Sequence, residues 1–81
     1  MGTRVAVVGI IVEDRNSVES LNRILHEFGE FIIGRMGIPY RERQISIISI
    51  AVDAPQERIA ELSGKIGSLS GVSAKVAYSN A

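Results

Sequence analysis

Thr3-Arg4-Val5-Ala6-Val7-Val8-Gly9-Ile10-Ile11-Val12 decides the architecture of this chain. The run is β-branched and almost continuously apolar, as a strand buried on both faces reads. Glu13-Asp14-Arg15 breaks it. Asn16-Ser17-Val18-Glu19 then has the spacing of a capping box, with Asn16 as N-cap and Glu19 reaching back. Val18, Leu21, Ile24, Leu25 and Phe28 fall on one face at the helical period, and Gly29 offers the left-handed position that ends a helix.

Working outward, Glu30 to Ile38 reads as a second strand, weakened by Gly34 and Gly37. Pro39-Tyr40-Arg41-Glu42 reads as a turn, because proline presets φ for its second position. Arg43 to Val52 is the most β-like run of the chain. Asp53-Ala54-Pro55-Gln56 repeats the capping pattern, with Pro55 in the first turn of a second helix. Ile59, Leu62, Ile66 and Leu69 form that helix's apolar stripe, and Gly64 and Gly67 soften it. After Gly71 a last strand alternates Val72, Ala74, Val76 and Tyr78 with Ser73, Lys75, Ala77 and Ser79. The order predicts an α+β, ferredoxin-like βαββαβ sandwich: a four-stranded antiparallel sheet with two helices on one face, as one domain over residues 1–81. Leu21, Leu25 and Phe28 recur as Leu62, Ile66 and Leu69 at a constant offset of 41 residues, as two βαβ halves would give.

Two helices cover only one face of such a sheet. Yet Val5, Val7 and Ile11 oppose Ala6, Val8, Ile10 and Val12, and Ile45 and Ile47 oppose Ile48, Ile50 and Val52. Each large aliphatic left in water forgoes roughly 1.5–3 kcal/mol, and a contiguous apolar patch marks an interface. A homo-oligomer, dimer or tetramer, is therefore expected. Length points the same way: at 81 residues only about 60 % of the unfolded surface is buried on folding. There is no cysteine, so neither disulfides nor thiolate metal sites reinforce the fold.

Lys+Arg and Asp+Glu both number 9, which argues against bulk attraction to nucleic acid or anionic membrane. No apolar run reaches the ~18–20 residues of a membrane span, and no signal peptide is legible. The expectation is a cytoplasmic, non-membrane protein.

No catalytic constellation can be assembled, and none of the serines has a GxSxG setting. His26 is the sole histidine, and no metal residue is assigned. Two segments stand out instead. In the Val12–Ser17 loop, Glu13, Asp14, Asn16 and Ser17 border helix-terminal amides that favour an anion. In Gly34-Arg35-Met36-Gly37-Ile38-Pro39-Tyr40-Arg41-Glu42-Arg43, the planar forks of Arg35, Arg41 and Arg43 suit carboxylate or phosphate, with Tyr40 beside them. The plainer readings are a solvated loop and a charged turn closing a hairpin. Because the two segments can lie towards opposite ends of one monomer, the expected ligand site joins them across a subunit boundary.

Gly9-Ile10-Ile11-Val12-Glu13-Asp14-Arg15, Leu25-His26-Glu27 and the segment from Gly34 to Arg43 resemble a family of very small proteins assigned to regulation of the iron-only hydrogenase system. The resemblance covers nearly the whole chain. That family is similar to ACT domains and to the regulatory domain of nickel-responsive repressors. The resemblance implies an ACT-like, non-catalytic regulator that pairs through its sheets or edge strands and senses a small effector at the oligomer interface. The chain lacks the histidine- and cysteine-rich pattern of the nickel-responsive regulators. Its elements take up the 81 residues and leave no helix-turn-helix, so DNA contact would come from another chain. The cofactor stays open. Two alternatives remain: a protein-interaction adaptor docking through the arginine-rich hairpin without a small ligand, and a metal sensor using His26 between subunits.

Overall fold

The computed structural model describes residues 2–80. Strand β1 spans Arg4–Val12, β2 Ile32–Tyr40, β3 Ile45–Ala54 and β4 Val72–Tyr78, and helices α1 and α2 span Val18–Glu27 and Gln56–Gly67. The strands form one sheet in the order β2-β3-β1-β4, with every pairing antiparallel. This is the ferredoxin-like α+β architecture that the element order predicts.

The period-two alternation of the central strands fixes which residues meet the helices. Ala6, Val8, Ile10 and Val12 of β1 and Ile48, Ile50, Val52 and Ala54 of β3 are buried. They pack against Leu21 and Leu25 from α1, Phe28 at its C-cap, and Ile59, Leu62 and Ile66 from α2. The 41-residue repeat thus places equivalent residues of the two helices on the same side of the sheet. β4 is an edge strand, with Val72, Ala74, Val76 and Tyr78 turned to the core and the residues between them exposed.

Several local expectations are corrected. A 3₁₀ turn at Arg15–Ser17 precedes α1, and the Asp14 side chain, not that of Asn16, accepts the capping bond. Ser17 stands at the N-cap of α1 without a side-chain cap bond. Asp14 wins because the extended backbone of an N-cap falls on it, at φ −113° and ψ 109°. Gly29 opens a second 3₁₀ turn, Gly29–Phe31, and is not left-handed. Among the described residues positive φ occurs at Gln44 and Gly71 alone. Pro55, not Asp53, is the N-cap of α2. β2 begins and ends two residues later than the sequence suggests, and it carries a bulge between Ile32 and Gly34. Pro39 and Tyr40 extend that strand, since an edge strand tolerates proline. The turn falls on residues 41–44.

Candidate functional site

The loop after β1 is fastened to the turn before β4. The Glu13 N–H donates to the Gly71 carbonyl at 2.7 Å, and the buried Ser17 hydroxyl donates to the Ser70 carbonyl at 2.6 Å. Gly71 sits at φ +67°, and a Cβ there would lie 2.5 Å from the Cβ of Asp14. A side chain is excluded both by backbone conformation and by space. Asp14 and Ser17, expected to hold a ligand, are thus committed to the fold: the Asp14 carboxylate accepts the Asn16 N–H at 2.9 Å. Glu13 and Asn16 are exposed.

The hairpin is held differently. Its turn closes through Arg43 N–H to the Tyr40 carbonyl and Gln44 N–H to the Arg41 carbonyl, at 3.3 and 3.1 Å. Gln44 occupies the left-handed position at φ 57°, which most non-glycine residues avoid. Arg35 is opposite Ile50 in the register and donates to Asn22 Oδ1 at 3.0 Å. It therefore leans on α1, apart from the turn.

Val12 pairs with Ser46 and Tyr40 with Ile45, so the end of β1 and the hairpin share one end of the sheet. This corrects the premise that a second subunit is needed to bring them together. Within one chain they enclose a cavity of about 170 Å³. Its apolar wall is Val12, Val18, Pro39 and Ile45, and its polar rim is Arg15, Tyr40, Arg41, Gln44 and Ser46. Of the expected ligand residues, Tyr40 and Arg41 line it, whereas Glu13, Asp14, Asn16, Ser17, Arg35 and Arg43 do not. Arg15 and Gln44, which the sequence reading does not single out, line it as well. Arg15 stands inside the loop singled out from sequence, and the antiparallel register alone would have aimed that loop at the hairpin.

A second concavity, about 580 Å³, lies between Gly2 and the start of α2 at Pro55, Gln56, Glu57 and Ala60. It is larger but wide open, and among its described lining residues Gln56 and Glu57 are the polar side chains. His26 is exposed at the end of α1. Among the described residues no group of three or more His, Cys, Asp and Glu side chains converges, and no helix is long and apolar enough to cross a membrane.

The sheet face away from the helices is apolar. Val5 and Val7 remain 46 % and 45 % exposed, and Met36, Ile38 and Tyr40 between 43 % and 56 %. The register joins them into rows: Ile38 beside Ile47 beside Ile11, and Met36 beside Ser49 beside Gly9. The charged strand residues on this face are Asp53, next to Val5, and Lys75, next to Gly9. One charge of each sign leaves the face neutral.

A family model described as "TM1266-like: Iron-only hydrogenase system regulator, putative" matches residues 4–76. The uncharacterized protein TM1266 from Thermotoga maritima is similar in structure, with a TM-score of 0.90 and 34 % identity over 94 % of this chain and 96 % of that one. A formyltetrahydrofolate deformylase from Pseudomonas putida KT2440 shares the fold, with a TM-score of 0.69 and 12 % identity over 95 % of this chain and 30 % of that one. None of the curated proteins matches. Matched along nearly its whole length by the family model and by TM1266, the chain belongs to the TM1266-like family.

Proposed function

We propose that this chain is a non-catalytic regulatory module of the iron-only hydrogenase system, which assembles with copies of itself through the open sheet face and responds to a small effector. The observation that carries the reading is the second apolar face. Four strands spaced ~4.8 Å apart and about nine residues long present roughly 550 Å² per copy, so two copies bury about 1,100 Å², enough to clear the ~1,000 Å² of a specific interface. A second copy is the occupant that fits. The face is neutral, so like copies do not repel, and Asp53 and Lys75 offer it one charge of each sign. Neither makes an ion pair among the described residues.

A regulatory role suits the rest of the surface. The Ser17 and Ser68 hydroxyls are bonded to backbone carbonyls. The family assignment supplies the system that is regulated.

The test is genetic. In a host that carries both this chain and the hydrogenase, deletion should change hydrogenase output. The wild-type chain should restore it, and Ile47→Glu, which puts a charge in the middle of the open face, should not. Output indifferent to deletion would remove the regulatory reading.

A further inference from the structure

We infer that the cavity between the start of α1 and the β2–β3 hairpin binds a compact organic carboxylate, with Arg15 and Arg41 taking the carboxylate and Val18 and Ile45 taking the apolar body. The inference deepens the effector reading above and depends on it for the consequence of binding, not for binding itself.

The charge of the wall comes first. Arg15 and Arg41 are the charged residues that line the cavity among the described residues. Both are exposed, and neither makes an ion pair, a side-chain hydrogen bond or a ring contact among the described residues. Arg35, within β2, is by contrast bonded to Asn22. Two guanidinium forks facing one concavity match a carboxylate, which accepts paired N–H bonds from each.

The apolar wall then sets the body of the ligand. Val18 is the one member of the α1 stripe left exposed, at 37 %, and it faces the cavity rather than the core. At about 170 Å³ the space is well below the ~300–1,000 Å³ of drug-sized pockets, so the ligand has few heavy atoms. Gln44 lines the same space with its backbone at φ 57°, and residues held in sparsely populated conformations cluster at ligand sites. The lining also says what is refused. A zwitterionic amino acid would bring an ammonium beside two guanidinium groups with no carboxylate in the wall. A neutral amide forfeits the charge-assisted bonds, and inorganic phosphate leaves the apolar wall wet.

The experiment is an NMR titration of the full ¹⁵N-labelled chain with isovalerate, isovaleramide, valine and inorganic phosphate. Isovalerate should shift the amides of Arg15, Val18, Arg41 and Gln44 saturably, and the other three should bind about tenfold or more weakly. Arg41→Ala should weaken isovalerate about tenfold or more. Arg43→Ala removes the same charge from the same turn but leaves both lining guanidinium groups in place, so it should weaken isovalerate less than Arg41→Ala does. No saturable shifts, equal binding of isovaleramide, or equal losses in the two variants would each overturn the proposal. Sedimentation of the same samples separates the two readings. An assembled protein that does not bind isovalerate overturns the cavity alone. A monomer that binds it leaves the cavity standing and overturns the assembly face.

Discussion

The two faces of one sheet are built from the same residue types and end in different states. On β1, Ala6, Val8, Ile10 and Val12 are at most 3 % exposed, while Val5 and Val7 on the other side stay close to half exposed. On β3, Ile48 and Ile50 are buried, whereas Ile45 and Ile47 are only half-buried. Valine and isoleucine of the central strands stand on both faces; the helices cover only one of them. α1 and α2 carry one apolar stripe each, and both stripes close on the same side. The folding of one chain thus covers the apolar residues on one side of the sheet and leaves Val5, Val7, Met36 and Ile38 on the other side close to half exposed.

Substitutions should separate the two faces by size of effect and by its dependence on concentration. The largest effect belongs to the covered face. Ile50→Ala, at a site with no exposure, should lower unfolding free energy by about 2–5 kcal/mol. Urea denaturation should show the same loss at every protein concentration. Ile47→Ala on the open face should cost less, and part of its cost should vanish on dilution, because subunit association stabilises by mass action. Equal and concentration-independent losses at both positions would erase the distinction.

Next come the fastenings that hold the loop over the covered side. Gly71→Ala forces a Cβ against Asp14 at a left-handed backbone position and should cost about 1–3 kcal/mol. Ser17→Ala removes the hydroxyl bonded to the Ser70 carbonyl and should cost about 1 kcal/mol. Thermal unfolding checks both, and neither should alter the assembly state. The smallest effect has the opposite sign. Gln44→Gly relieves the positive φ in the exposed hairpin turn and should stabilise by up to about 1 kcal/mol.

Element order, sheet class and both core stripes were legible because periodicity reports them directly. Val8, Ile10, Ile50 and Val52 are buried where alternation puts them, and Leu21, Leu25, Leu62 and Ile66 where the 3.6-residue period does. What failed was local. Asn16 and Asp14 are both good caps, and only the path of the chain out of β1 selects Asp14. Pro39 is a turn former by propensity, but the pairing of β2 with β3 carries the strand past it. The two segments beside the cavity were legible, but its lining residues were not. Glu13, Asp14, Asn16 and Ser17 lie in the right loop outside the lining, and the Gly71 contact, which no local pattern announces, turns Asp14 and Ser17 to structural use. Arg15 gains its place from the register of β1 against β3, a long-range fact.

Sedimentation equilibrium of the wild-type chain and of Ile47→Glu at micromolar concentration tests the central claim, that the open face is where copies of this chain meet. The wild type should show a dimer or larger assembly with no monomer plateau. Ile47→Glu should move the distribution towards monomer, because a carboxylate placed beside Ile11 and Ile38 loses its hydration when the face is covered. A wild type that sediments as a clean monomer, or an assembly that Ile47→Glu leaves unchanged, would contradict it.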